Sequence, residues 1–251
     1  MPRADLILIV PCYNEAARLL PAEFVAFVSS RPGVSLLFVD DGSSDGTVES
    51  LERIRRSAPE SVDIMRLPHR GKAEAVRLGI LEAIGRGAEL VGFWDADLAT
   101  PLEAVDDFLA LAVKRPGVEV MLGSRVNLLG RQVRRSAWRH YPGRAFATAV
   151  SLALRLQVYD TQCGAKVFRS SRAIATVFGS PFRSQWIFDV ELLARYLQVP
   201  VDDGGPSRQA RIYEVTVPAW HDVPGSKLRW TDWARSLFEL FAISRERHRG
   251  R

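Results

Sequence analysis

The sequence predicts an α/β fold: a single, mostly parallel sheet flanked by helices. Three observations lead there. Short apolar runs alternate with helical patterns through the first half of the chain. Each run is continuously apolar, as strands buried on both faces require. Two runs end in acid: Leu36-Leu37-Phe38-Val39 leads into Asp40-Asp41-Gly42-Ser43, and Leu90-Val91-Gly92-Phe93-Trp94 into Asp95-Ala96-Asp97. Ligands of open α/β sheets sit at the carboxyl ends of strands, where both clusters fall.

Leu6 to Val10 is the first strand, ended by Pro11. Glu15 to Ser30 has helical spacing through Leu19, Leu20, Phe24, Phe27 and Val28, and Val34 to Val39 is the second strand. Asp41 to Thr47 is turn chemistry opening a helix with Val48, Leu51 and Ile54 inward. Val62 to Leu67 is a third strand, Lys72 to Gly85 a helix carrying Ala75, Val76, Ile80 and Ile84 on one face, and Leu90 to Trp94 a fourth strand. Strand and helix thus alternate as in a doubly covered sheet.

The second half is less regular. A helix is expected over Pro101 to Val113 with Thr100 as its cap. A strand over Val118 to Leu122 ends at Gly123-Ser124-Arg125. A basic loop precedes an apolar helix over Gly143 to Leu156. Ala165 to Phe168 is a short strand, Ile187 to Leu197 a helix and Ala210 to Pro218 a strand. No linker interrupts residues 1–229, which are expected to form one catalytic domain, with residues 230–251 as an amphipathic basic helix and tail. In that segment Trp230, Trp233, Leu237, Leu240 and Phe241 form one stripe flanked by Arg229, Arg235 and Arg245, the pattern of a helix lying in a membrane interface or packed on the core.

The 251 residues are 47% hydrophobic and 25% charged, ordinary for a globular protein. The net charge of +5 suits phosphate substrates or anionic lipid, and solvated surface equally. The basic stretches lack a nucleic-acid reading motif, so no nucleic-acid partner is expected. Cys12 and Cys163, the only cysteines, make no disulfide scaffold and read as packing; a cytoplasmic location is expected. No stretch reaches the ~20 apolar residues needed to span a bilayer, so membrane work would be done peripherally, from its cytoplasmic face.

Carboxylates crowded at buried strand ends repel one another and lose hydration, and something cationic must compensate them. Asp95-Ala96-Asp97 places two hard oxygen ligands at i and i+2; in an extended strand end these point the same way and suit Mg²⁺ or Mn²⁺ carrying a diphosphate. Alone the pattern is weak. Its position after a buried strand, beside a second acidic strand end, strengthens it.

Val10-Pro11-Cys12-Tyr13-Asn14-Glu15, Val39-Asp40-Asp41-Gly42-Ser43-Ser44-Asp45-Gly46-Thr47, Gly71-Lys72 and Asp95-Ala96-Asp97 resemble, in order and spacing, the signature of glycosyltransferase family 2, which has the GT-A fold. The resemblance implies that Asp40 contacts the nucleobase of a nucleotide-sugar donor and that Pro11, Tyr13 and Glu15 line the nucleotide pocket with Gly71, Lys72 and Ala96. It also implies that Asp97 holds the metal and Asp95 lies near ribose and metal waters. Leu122-Gly123-Ser124-Arg125, Asp160 to Phe168, Trp186 to Leu193 and Trp220 to Lys227 are similar to polyprenyl-phosphate sugar transferases, nearest the dolichyl-phosphate beta-glucosyltransferase type, then the mannosyl type. Two departures stand out: the eukaryotic glucosyl enzymes carry an N-terminal anchor not seen here, and Ala99 stands where mannosyl enzymes tend to have a further polar metal ligand.

A phosphate acceptor is already anionic and needs cations rather than a general base. Arg125, Arg139 and Lys227 are the candidates, with surface charge the competing reading for Arg139. Asp189 looks like the family residue facing the acceptor, a base for an alcohol and an orienting or charge-stabilising group for a phosphate; a helix-cap carboxylate is the plainer reading. Gln185 and Trp186 could shape the sugar site, and His221 is carried as a candidate for the metal or diphosphate by the same resemblance. His69 reads as a loop residue, and no His/Cys cluster supports zinc. The expectation is an inverting, metal-dependent transfer of glucose from UDP-glucose to a polyprenyl phosphate. GDP-mannose as donor, a hydroxyl acceptor with Asp189 as base, and a catalytically dead nucleotide-sugar-binding protein are the alternatives.

Overall fold

A computed structural model describes residues 5–126, 132–134, 137–201, 204–221, 239, 240 and 245, with side chains for all but 132–134 and 137–142. The strands are β1 (Leu6–Cys12), β2 (Val34–Asp40), β3 (Val62–Arg66), β4 (Leu90–Trp94), β5 (Val120–Ser124), β6 (Gln132–Arg134), β7 (Ala165–Arg169), β8 (Ile212–Thr216) and β9 (Ala219–His221). The helices are α1 (Pro21–Ser29), α2 (Thr47–Ser57), α3 (Lys72–Gly85), α4 (Val105–Lys114), α5 (Ala137–Leu154), α6 (Arg172–Phe178) and α7 (Phe188–Gln198).

Seven strands form one sheet in the order β3-β2-β1-β4-β7-β5-β8. β1 pairs in parallel with both β2 and β4, so the order reverses between them and opens a crevice at their carboxyl ends. β7 alone in this sheet runs antiparallel, pairing β4 through Trp94↔Ala165 and β5 through Leu122↔Lys166. β6 and β9 form a separate parallel pair.

Strand alternation divides the core. Leu6, Leu8 and Val10 face the layer holding Phe24, Phe27, Leu51 and Phe108 from α1, α2 and α4. Ile7 and Ile9 face the layer built from α3, α5, α6 and α7. At Gly79 of α3 a side-chain Cβ would come 2.8 Å from Ile9, so the glycine permits close helix–sheet contact.

The expected strands and α3 are present; several helices differ from expectation. Glu15 to Ser30 is not one helix: α1 starts at Pro21, whose missing N–H suits a first-turn position. The backbone before it is used elsewhere, as described below. Pro101 to Val113 begins as a 3₁₀ turn, Leu102–Ala104, before α4. Thr100 does not cap it: its carbonyl accepts Trp94 Nε1–H at 2.7 Å and its hydroxyl lies 3.8 Å from Cys163 Sγ. α5 starts at Ala137, so Arg139 is in a helix and not a loop. The expected strand from Ala210 opens as a 3₁₀ turn, Arg208–Arg211. α6 was not expected; its signal is Ser171, whose Oγ accepts the Ile174 N–H at 3.3 Å as an N-cap.

Lys227, Trp230, Trp233, Leu237 and Phe241 lie outside the described residues, as does most of the 230–251 segment. Of that segment, Leu240 is buried in the α5–α7 layer, and Glu239 accepts the Ser184 hydroxyl at 2.5 Å. Among the described residues no helix is long and apolar enough to cross a membrane.

The β4–β7 pairing gives a direct stability test. A Cβ on Gly92 would lie 2.5 Å from the Lys166 carbonyl oxygen, on backbone that cannot yield without moving β7. Gly92→Ala is expected to destabilise the protein by about 1–3 kcal/mol, measured as a lowered denaturation midpoint; an unchanged midpoint contradicts this packing.

Candidate active site

A cleft of about 540 Å³ opens over the carboxyl ends of β1 and β4 and is lined by Pro11, Tyr13, Glu15, Asp41, Lys72, Asp95, Ala96, Asp97, Arg125 and Asp189, among others. The loop after β1 forms one wall. Asn14 takes φ +53°, and the backbone around it is sewn to the loop before α2. Ser43 Oγ accepts Asn14 N–H at 3.0 Å, Thr47 Oγ1 accepts Glu15 N–H at 2.8 Å, and Asp45 Oδ2 accepts Ala16 N–H at 3.2 Å. The Asp-Gly-Ser-Ser-Asp-Gly-Thr motif therefore holds Tyr13 and Glu15 in place.

The two neighbouring aspartates at the end of β2 do different work. Asp41 lines the cleft; its carboxylate accepts the N–H groups of Arg70 and Gly71, each at 2.8 Å, and approaches His69 Nδ1 at 2.8 Å. His69 in turn stacks on Tyr13 with ring centroids 4.0 Å apart. Asp40, the residue expected at the nucleobase, is buried like Asp41 but is not among the cleft-lining residues; Ser43 N–H approaches its Oδ1 at 3.4 Å.

Asp95 and Asp97 are brought together by a turn, not by an extended strand as expected. β4 stops at Trp94, Leu98 N–H bonds to Asp95 O at 3.2 Å, and Leu98 takes φ +52°. Asp95 Oδ1 is met by Lys72 Nζ at 2.5 Å, while Asp97 accepts Ala99 N–H at 3.1 Å and faces Arg18 at 3.8 Å. Gly164 has no room for a side chain because the Asp95 carboxylate occupies that space. Burial, and then the neighbouring Asp95, raise the pKa of Asp97. Burial works against the charge on Lys72, but Asp95, Asp189 and Asp97 outweigh it and raise its pKa.

The opposite wall carries the acceptor candidates. Arg125 forks onto Asp160, Nε to Oδ2 at 2.6 Å and Nη2 to Oδ1 at 2.8 Å, so its charge is matched by a carboxylate. Desolvation opposes that charge, but Asp160 raises the Arg125 pKa beyond it. Arg139 lies in α5 with its side chain outside the described residues, and Lys227 lies outside them entirely. Arg144, not anticipated from the sequence, lines the cleft; it donates to Tyr159 O at 3.3 Å and sits 3.8 Å from the Tyr159 ring centre. Among the described residues no carboxylate pairs with it.

Asp189 sits in the first turn of α7 and lines the cleft, with Lys166 Nζ 2.6 Å from its Oδ1. Gln185 and Trp186 are at the rim, Trp186 being 37% exposed and so not a core residue. Glu191 holds their loop by accepting the N–H groups of Arg183 and Ser184, each at 3.0 Å. His221 is exposed on β9, its N–H bonded to Ala99 O at 3.2 Å. Among the described residues no three His, Cys, Asp or Glu side chains gather as a metal-ligand set. Both cysteines are buried, and burial first of all raises their pKa values, which suits packing and not nucleophilic chemistry.

Arg18, Arg144 and Lys166 are not singled out by the sequence, and Asp41 only as part of its acidic cluster. Arg18 carries a local signal, three residues after Glu15, whose Oε1 it meets at 2.5 Å. The others depend on contacts distant in the chain. For a divalent metal the residues fit: two carboxylates repel one another at the rim, and an ammonium already lies on one of them. Two protein oxygens leave room for diphosphate and water.

The family model described as glycosyl transferase family 2 matches residues 7–171. The dolichyl-phosphate beta-glucosyltransferase of Drosophila melanogaster is 34% identical over 96% of this chain and 75% of its own. That of Saccharomyces cerevisiae is 29% identical over 89% of this chain and 69% of its own. Glucosyl-3-phosphoglycerate synthase from Mycobacterium tuberculosis, solved with phosphoglyceric acid, superposes with a TM-score of 0.68 at 14% identity, covering 98% of this chain and 80% of that one. Its complex with Mn²⁺, UDP-glucose and phosphoglyceric acid gives 0.65 at 15% identity, with 98% and 80% covered. These two structures share the GT-A fold with this chain.

The raised Asp97 pKa has a thermodynamic consequence. A carboxyl whose folded pKa exceeds its unfolded value binds more protons folded, so stability falls as pH rises through the interval between the two. Asp97→Asn is expected to raise the metal-free melting temperature at neutral pH and to flatten its pH dependence just above the ordinary carboxylate range. The same variant is expected to lose the stabilisation that Mn²⁺ gives in thermal denaturation. A lower metal-free melting temperature counts against the repulsion described.

Proposed function

Because this chain belongs to glycosyltransferase family 2 and is a glycosyltransferase, we propose that it transfers glucose from UDP-glucose to a polyprenyl phosphate, with inversion at the anomeric carbon. The acceptor class rests on the likeness to dolichyl-phosphate beta-glucosyltransferases across nearly the whole chain. The geometric observation that carries it is Arg144, a cleft cation with no carboxylate partner among the described residues, opposite the acidic pair Asp95 and Asp97.

The stacked rings of Tyr13 and His69, backed by Asp41, form the nucleoside wall. Asp97 and Asp95 would hold Mg²⁺ or Mn²⁺, which supplies charge neutralisation for the departing diphosphate. Lys72 adds a second cation on that side, released from Asp95 toward the phosphates. Arg144 attracts the acceptor phosphate, with the Arg125–Asp160 pair framing the wall and Arg139 and Lys227 as further candidate cations. A phosphate oxygen attacks the anomeric carbon from the face opposite UDP. The carbon–oxygen bond to UDP breaks with its electron pair on the leaving phosphate, giving a beta-linked lipid-phosphate sugar. No proton has to be removed from the nucleophile. Asp189 orients the sugar and opposes the positive charge that grows at the anomeric carbon. Residues 230–251 serve in this reading as a basic, Trp-bearing attachment to the cytoplasmic membrane surface, anchored to the core through Leu240.

UDP-glucose and GDP-mannose, each offered with a short polyprenyl phosphate and Mg²⁺ or Mn²⁺, test the donor. Transfer from UDP-glucose is expected, abolished by chelation and lowered about 10²–10³-fold by Asp97→Asn; transfer from GDP-mannose alone replaces the donor, and none from either sinks the reading. Asp189→Asn separates phosphate from hydroxyl acceptors. A general base contributes about 10²–10⁴-fold, so a smaller loss is expected here, and a loss of that size at every pH favours a hydroxyl acceptor.

A further inference from the structure

Lys166 has no part in the reaction as described above, and its position is an expensive one for a charge. It is the second residue of β7, opposite Phe93 of β4 and Leu122 of β5, and none of its surface reaches solvent. Its ammonium lies 2.6 Å from Asp189 Oδ1, donates to Cys163 O at 2.6 Å and sits 5.1 Å from the centre of the Phe93 ring. Replacing a buried ion pair with apolar residues of similar volume is often neutral or stabilising. On this face of the sheet Phe93, Phe168 and Phe188 are such residues. Packing alone therefore gives no reason for a lysine.

Asp189 does not need Lys166 simply to carry charge. It lies in the first turn of α7, where the helix dipole favours a carboxylate, and it borders the open cleft. Lys72 of α3 faces it electrostatically from the donor side. What Lys166 supplies is geometry. A first-turn aspartate is free to turn about its two side-chain torsions. Here one buried oxygen has no hydrogen-bond partner among the described residues and is held by charge alone, 2.6 Å from an ammonium in the sheet that the Cys163 carbonyl itself tethers. A strand residue is a stiffer support for this than a loop residue.

We propose that Lys166 is a positioning residue for glycosyl transfer: its ion pair pins Asp189 Oδ1 in the sheet and leaves the other carboxylate oxygen turned to the donor sugar. The inference rests on the reading of the cleft as a UDP-glucose site. It assigns Lys166 no contact with substrate and no proton transfer; its whole effect passes through Asp189.

The test measures transfer from UDP-glucose to a short polyprenyl phosphate by the full chain, for wild type, Lys166→Gln, Asp189→Asn and the paired Lys166→Met/Asp189→Asn. Each rate is divided by the UDP-binding sites counted by calorimetry, so molecules lost to unfolding drop out. Lys166→Gln is expected to lower kcat per site about tenfold or more with the KM for UDP-glucose within about threefold of wild type. The paired variant is expected to match Asp189→Asn within about threefold, since residues acting as one unit are non-additive. Wild-type kcat per site in Lys166→Gln overturns the proposal, and so does a further loss of about tenfold in the pair. Either comparison decides alone where the variants of the other do not fold. A wild-type protein that neither binds UDP nor transfers glucose instead overturns the donor reading.

Discussion

Between β4 and β5 one strand runs against its neighbours, and the pairing of β4 with β7 governs how the two halves of the cleft meet. Because β7 is antiparallel, its amino end lies beside the carboxyl end of β4, with Ala165 opposite Trp94. Asp95 N–H then bonds to Gly164 O at 3.1 Å, and the Asp95 carboxylate fills the space a side chain at 164 would take. One residue deeper, Lys166 lies under α7 and reaches Asp189. A parallel strand here would have sent both residues to the opposite edge of the sheet. Asp95 and Asp189 are thus referred to one rigid ladder.

Charge compensation is the second constraint. Asp95, Asp97, Glu15, Asp41 and Asp189 crowd around one cleft, and each has a cation or N–H donors near it: Lys72, Arg18, the Arg70–Gly71 backbone and Lys166. Asp97 is held by one N–H and a distant Arg18. Burial and the neighbouring Asp95 raise its pKa, and it is the carboxylate that the family resemblance assigns to the metal. Sites arranged for a cation commonly sacrifice stability until it arrives.

The glycine- and serine-rich motif after β2 has a scaffold role that its composition disguises. Ser43, Asp45 and Thr47 accept backbone N–H groups of the loop after β1, more than two dozen residues earlier in the chain. Nothing in that bonding requires contact with a ligand. It places Tyr13 and Glu15, and the neighbouring Asp41 steadies the Arg70–Gly71 turn before Lys72. The same backbone demand explains why the region from Glu15 to Leu20 is not helical although its apolar spacing is.

Local patterns determined what could be read without a structure. Buried strands announce themselves by continuous apolar runs, and α3 by its period, so β1, β2, β4 and the acidic ends at Asp40–Asp41 and Asp95–Asp97 were legible, as was the likeness to family 2. Arg125, Asp189 and Lys72 could be named as candidates from their motifs. Their partners could not. Asp160 is 35 residues from Arg125, and Lys166 meets Asp189 only because β7 is reversed between parallel strands. No periodicity encodes that reversal. The turn at Asp95–Leu98, the absence of Asp40 from the cleft lining that holds Asp41 and the ion pair on one Asp189 oxygen were likewise decided in three dimensions. Residue type and local spacing specify which groups are present, whereas strand direction and packing specify which of them face each other.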